Sequence, residues 1–455
     1  MNKRSSSVRY VKSIYIMFLF LISNIVAAQN KQDTLPSKVT ISDCINYALT
    51  NFPLMKQSLL DEDINKRNIR IALSGWWPQL NSSGSFQHYY QLPVSFFPNL
   101  NDPAGPKEAA SVGVVNTSTF QLSAAQNIYS TELLFAGRTA HDLRYLASEN
   151  TQNTKINVVV NVSKAFYDVL LSEQQIGVLS EDIQRLERNY TDAHNLFNAG
   201  ISDKTDYQRA SISLNNARSQ MKSAEEGLKV KYAFLKQLMG FPVDNLLKIS
   251  FDSASVEKEI LIDTTANLKY DNRIEYQSLQ TNLRIQSAQV GYYRWSFLPS
   301  ISAFGQYNRV YQNDQLQPLF NKSYPNSLIG LNASLPLFQG TSRLQNIQKA
   351  KFQYQRAELD MDNLKRQINT EYTQAMATYK SNLNEFNLDQ ENIKTATNIF
   401  NIIKSQYNQG IKTYLDVIVA ETDLRTAQLN YLNTLFQLLS STLDVKKSLG
   451  NILVK

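Results

Sequence analysis

The chain has 455 residues and a formal charge of +7, but Lys3, Arg4, Arg9 and Lys12 supply four of those charges before any acid appears, leaving +3 for the remainder. So small a surplus removes the case for a nucleic-acid partner, and a single cysteine, Cys44, excludes an intrachain disulfide. Length suggests two to four domains, while scarce Gly (15) and Pro (12) permit very long helices and abundant Tyr (24) and Phe (21) suit either helix seams or membrane girdles.

The basic first residues lead into the apolar run SIYIMFLFLISNIVA, and Val26-Ala27-Ala28 offers small residues for cleavage before Gln29. Residues 1–28 therefore read as a secretory signal peptide. A retained anchor helix is the alternative, although the apolar run is short for a full span. Gln29 and not cysteine stands directly after the cleavage point, so no lipid anchor is expected there.

A first helical stretch precedes two alternating segments, PQLNSSGSFQHYYQL (78–92) and TSTFQLSAAQNIYS (117–130). Their length suits tilted membrane-crossing strands of about 9–11 residues, and a soluble β-domain is the competing reading. A polar loop with Pro and Gly, 93–116, joins them. Residues 139–197 contain no proline. Val162, Val169, Ile176, Ile183, Tyr190 and Phe197 recur every seventh position, with Ala165, Leu179, Leu186 and Ala193 three residues on. That is the pattern of a coiled-coil seam, with a simple helical-bundle core as the alternative, and at about 1.5 Å per residue the segment extends roughly 90 Å. The turn LFNAGISDKTDY (196–207) follows, then a second seam through Tyr207, Leu214, Met221, Leu228 and Leu235.

Residues 241–267 connect to a second unit of the same plan. It has a helix, the segments PSISAFGQYNRVYQ (299–312) and NSLIGLNASLPLF (326–338), and a proline-free stretch over 342–407. In 326–338, Ile329, Leu331, Ala333, Leu335 and Leu337 share one face. Tyr372, Tyr379, Phe386, Ile393, Phe400 and Tyr407 continue the seven-residue repeat, and the turn SQYNQGIKTYLDV (405–417) leads to a last helix. An offset of 210 pairs Gly200 with Gly410, Ile201 with Ile411, Asp206 with Asp416 and Gly240 with Gly450. An offset of 203 pairs LFAGR (134–138) with LFQGT (337–341), and one of 221 pairs Asn51 with Asn272. The chain reads as two internal repeats, 29–240 and 268–455, with strand hairpins at 78–130 and 299–338 and tips near 200 and 410. Four strands cannot close a barrel, and an open edge cannot face lipid, so a membrane reading demands several chains.

These features together resemble the TolC-like outer-membrane efflux proteins. The resemblance rests on ISDCINYALTNFP (41–53), NRIE (272–275), the strand-to-LF-x-G junctions and the two aromatic-x-x-Gly-Ile turns. It implies a mainly α fold with transmembrane β: a homotrimer whose protomers each give four strands to a twelve-stranded β-barrel and helices to a long coiled-coil α-barrel. The connector would lie in an equatorial region. It further implies an outer-membrane channel reaching into the periplasm, an exit duct for small molecules, drugs or proteins. Its implied partners are outer-membrane lipid, a periplasmic adaptor and an inner-membrane transporter.

The turns themselves have a local explanation. Gly200 and Gly410 permit positive φ at a helix end. Ser202 or Asp203, and Thr413, can cap the next helix, whose first turn favours Asp206 and Asp416. The resemblance adds a role: Gly200, Ile201, Gly410 and Ile411 at tips that contact the adaptor, and Asp206, Tyr407, Lys412 and Asp416 as a gate. Lys412 stands where an Arg is often found. Val419 stands where the family can carry a further Asp, so the resemblance does not extend to a second acidic ring.

An enzyme has little support. The three histidines, His88, His141 and His194, lack metal-ligand spacing, and there is no HExxH, G-x-S-x-G or phosphate loop. No cofactor or metal is implied. An exported coiled-coil scaffold without transport activity explains the heptads and the signal, but not four alternating segments placed alike in each unit.

Overall fold

The computed structural model describes residues 38–98, 105–250, 260, 262–263 and 267–452. The signal segment, six residues of the loop after the first strand, and most of 251–267 lie outside them. Helix α1 (Ile41–Asn51) starts at a capping box in which Thr40 and Asp43 exchange side-chain and backbone bonds. Helix α2 (Pro53–Leu73) has proline in its first turn, where the missing N–H costs nothing. The chain then runs through β1 (Gln79–His88), β2 (Val94–Phe97), β3 (Glu108–Ser111) and β4 (Asn116–Tyr129) into α3 (Thr131–Asn198) and α4 (Lys204–Met239). The second half gives α5 (Ile274–Trp295), β5 (Ser300–Asn313), β6 (Ser323–Ser334), α6 (Ser342–Asn408) and α7 (Tyr414–Ser448). Among the described residues no helix is long and apolar enough to cross a membrane.

The four long strands form one antiparallel sheet in the order β1-β4-β5-β6, leaving β1 and β6 as its edges. Residues opposite one another share a face, so the register sorts the side chains. Leu80, Ala124, Gly305 and Ile329 form one row, and Ser82, Leu122, Tyr307 and Ser327 another on the same face. Ser83, Gln121, Asn308 and Asn326 form a row on the opposite face, where Asn308 Nδ2 donates to Asn326 Oδ1 at 2.8 Å. That face also carries Phe304, Val310 and Leu328 but no Asp, Glu, Lys or Arg along the four strands, and the one strand arginine, Arg309, lies on the other face toward its far end. The apolar face is open: Leu80 and Leu331 are each 72% exposed, and Ile329 is 91% exposed. A sheet with one apolar and one polar face, both uncovered, is unlike a soluble sandwich, which buries its apolar face.

Two expectations need correction. β6 ends at Ser334, so Leu335 and Leu337 lie beyond it. Likewise, the LF-x-G junctions are not equivalent. Gly137 lies inside α3, whereas Gly340 takes φ +62° in the turn before α6. Pro336 accounts for both differences. It restricts Leu335 to extended backbone and donates no hydrogen bond, so neither strand nor helix passes through it. No proline stands between 106 and 242, and α3 begins directly after β4. The loop 93–116 also holds a small hairpin, β2 with β3, which its flanking prolines hid.

α3 and α6 run 68 and 67 residues, each folding back on its successor. Along α3 the seam positions Ala165, Leu179, Leu186 and Ala193 are buried, and Leu214, Ala217 and Leu235 meet them from α4. The largest core joins these seams to Cys44, Ala48, Tyr379, Leu438 and Val445. Two alike joints close the halves. Gly240 ends α4 at φ +69°, and a Cβ there would stand 2.7 Å from the Asn51 carbonyl oxygen. Gly450 repeats this at φ +71° against the Asn272 carbonyl. Beside it buried Arg273 donates to the Ser448 carbonyl at 3.2 Å and to Glu371 Oε2 at 3.0 Å.

Candidate functional site

The far ends of the two helical hairpins hold the predicted tip residues. α3 stops at Asn198. Gly200 N–H then donates to the Phe197 carbonyl and Ile201 N–H to that of Leu196, both at 2.9 Å. The second tip repeats the pattern: Gly410 to Tyr407 and Ile411 to Gln406, again at 2.9 Å. This crossed pair of bonds is a Schellman closure, which needs a left-handed residue. Gly200 and Gly410 supply it at φ +72° and +75°. No atom lies within 4 Å of a Cβ at either, so the backbone angle alone selects glycine. Ile201 and Ile411, which could tuck against the helix end, stay 73% and 67% exposed.

The restarts differ. Asp203, not Ser202, caps α4, accepting from Thr205 N–H at 3.1 Å. The Ser202 hydroxyl oxygen is buried without a partner. α7 has a full capping box: Asp416 Oδ2 accepts from the Thr413 amide at 2.9 Å and from its hydroxyl at 2.8 Å, while Thr413 Oγ1 accepts from Asp416 N–H. The Thr413 hydroxyl first, then its amide and Lys412, hold the Asp416 carboxyl below the usual carboxylate range. Lys412 Nζ lies 3.9 Å from Asp416 Oδ1, both side chains well exposed.

Tyr407 lies in a different group. Ala193, Ala210 and Tyr414 form a small core with Tyr190, Tyr207, Tyr407 and Ile418 around it. The Tyr407 and Tyr414 rings are 5.9 Å apart. Burial first, then the carboxylates of Asp206 and Asp192, push the Tyr407 hydroxyl up. Burial and Glu421 do the same to Tyr414, whose hydroxyl is buried without a partner. Of the four predicted gate residues, Lys412 and Asp416 lie together on the surface, while Tyr407 sits in this group and feels Asp206 through its charge. His194 packs between Tyr190 and Tyr207, with ring centroids at 6.0 and 5.4 Å. Sequence reasoning missed Tyr414 and Asp192. Tyr414 carried a signal, since its counterpart at offset 210 is Lys204.

Known proteins share this architecture. A family model described as outer membrane efflux protein matches residues 44–241 and 270–451. The outer membrane protein TolC of Vibrio cholerae serotype O1 is 20% identical over 427 residues, 90% of this chain and 91% of its own. The probable efflux pump outer membrane protein TtgC of Pseudomonas putida is 22% identical, covering 88% of this chain and 83% of its own. The crystal structure of the outer membrane protein VceC of Vibrio cholerae superposes with a TM-score of 0.71 at 17% identity, over 90% of this chain and 96% of that one.

Proposed function

The chain belongs to the outer membrane efflux protein family, and from that membership we propose that it is the exit duct of a tripartite efflux or type I secretion system. The TolC-like fold and the outer-membrane location come with the family; the assembly and its partners are our reading. Three copies join their four-stranded sheets, β6 of one beside β1 of the next, into a twelve-stranded barrel. The observation that carries this is the sheet: an apolar face suited to lipid, a polar uncharged face suited to a water-filled lumen, and two edges left to pair. The long hairpins of both repeats line an α-barrel across the periplasm, with 241–267 at its equator.

The tips then take two roles. Gly200, Ile201, Gly410 and Ile411 meet a periplasmic adaptor, the exposed isoleucines serving as apolar contacts. Asp206, Tyr407, Lys412 and Asp416 hold the duct closed, with one acidic ring because Val419 follows. The adaptor delivers small molecules, drugs or proteins from an inner-membrane transporter. Lys412→Ala with Asp416→Ala, in planar bilayers, is expected to raise single-channel conductance. Unchanged conductance would leave Asp416 its capping role alone and take Lys412 out of the gate, and a mature protein recovered soluble from the periplasm would contradict the duct itself.

A further inference from the structure

The strands and helices of the second repeat have counterparts in the first at fixed offsets. Along α3 and α6 the offset is 210: Ala140, Ala147 and Val158 are buried, and so are Ala350, Ala357 and Ile368. α2 and β1 meet α5 and β5 at 221, as Pro78 meets Pro299. Leu80 stands opposite Ala124, and its counterpart Ile301 stands opposite Ala333, so β4 meets β6 at 209. That offset also pairs Leu122 with Leu331.

Inside the chain the first repeat is joined to the second. Leu122 of β4 stands opposite Tyr307 of β5, and Glu149 Oε1 of α3 accepts from the Thr281 hydroxyl of α5 at 3.1 Å. The reverse joint, second repeat to first, is not made within one chain, because β6 and β1 are opposite edges of the sheet. Its counterpart positions are Leu331 and Phe86 in the strands, Leu359 and Leu60 in the helices. Glu149 and Thr281 are buried, yet Leu359 is 69% and Leu60 60% exposed, and Phe86 and Leu331 are exposed as well. Large apolar side chains left open at the positions that the inner joint covers mark a surface made to be covered.

We propose that a second copy of this chain covers it in the register of the inner joint: β6 lies beside β1 of the neighbour with Leu331 opposite Phe86, and Leu359 of α6 seats against Leu60 of the neighbour's α2. The inference rests on the barrel proposed above and adds what that reading leaves open, since twelve strands can close at more than one shear. A head-to-tail contact of this kind repeats until the ring closes. Sheet and helices, measured by separate offsets, call for the same neighbour. The strand pairing also keeps the faces in line: Phe86 shares a face with Leu80, and Leu331 with Ile329, whereas a slip of one residue would turn one edge over.

Cysteine pairs in the mature protein, oxidised in outer membranes and run on a denaturing gel, read the register. Opposed Cα atoms of an antiparallel pair are about 5 Å apart, within disulfide reach, and diagonal neighbours two residues along are about 7–8 Å apart. The two edges of one chain are roughly 14 Å apart across three strand spacings, so every link joins two chains. Phe86→Cys with Leu331→Cys should give linked dimers and trimers at least about fivefold more strongly than Phe86→Cys with Ile329→Cys or with Ala333→Cys. The native Cys44 is buried and adds no background. A protein that runs natively as three chains but links best at a shifted pair, or at none of the pairs, overturns the register and leaves the duct standing. One that runs as a monomer overturns both. Should the strand variants fail to assemble, a short thiol-to-thiol cross-linker decides in the helices. Leu60→Cys should link with Leu359→Cys at least about fivefold more strongly than with Phe352→Cys, about 10 Å away along α6; equal or reversed yields overturn the proposal.

Discussion

The two tips share one backbone and differ in what their carboxylates do. Both close with the same crossed hydrogen bonds around a left-handed glycine and leave an isoleucine exposed. At the second tip, however, Asp416 is bonded twice by Thr413 and shifted by it. At the first, Asp203 does the capping, and Asp206 is left facing the Tyr407–Tyr414 pair. Repeating a turn therefore copies its geometry, while a single neighbouring position decides whether its aspartate is structural or free to act. Thr413 is that position, and its counterpart is Asp203.

The comparison can be tested from its shared part to its divergent part. Gly200→Ala and Gly410→Ala should each destabilise their hairpin by about 1–2 kcal/mol, and equally, because only φ constrains either site. Thermal unfolding in detergent reads this, and a large inequality would show that the backbones are not alike. Thr413→Ala should cost about 1 kcal/mol, more than Asp203→Ala, since it breaks a reciprocal box rather than one bond. Acid should act on the second tip next. The Asp416 pKa is lower folded than the ordinary 3.8, so its contribution is present above 3.8 and lost as pH falls through the lowered value. Exchange of the Thr413 and Asp416 amides should accelerate there, together with those of the matching Thr40–Asp43 box in α1. Smallest of all, Asp206→Asn should lower the Tyr407 hydroxyl pKa in an ultraviolet titration; no change would detach Asp206 from that tyrosine.

Much of this was legible in the sequence because it is periodic. Seam residues such as Leu186, Ala193 and Leu214 recur at sevens, and burial follows them. The strands were placed within a few residues by alternation and their polar loops. What escaped depends on residues distant in sequence. The Asp182–Arg425 contact spans 243 positions, and each member alone looks like a solvated charge on a helix. The Pro336 effect was readable locally, but the alignment of LFAGR with LFQGT drew attention to likeness rather than to the proline that only one copy carries. At the tips, sequence supplied candidate residues and not their surroundings, since Tyr407 of α6 joins Tyr414 of α7 and Ala193 of α3 only once the hairpins fold together.

The central claim, that three sheets close one barrel, is tested most directly by the native mass of the mature protein released from outer membranes in mild detergent. The account predicts a discrete species of three chains that inserts into planar bilayers as a channel. A stable monomer, with the edges of β1 and β6 unpaired, would contradict it.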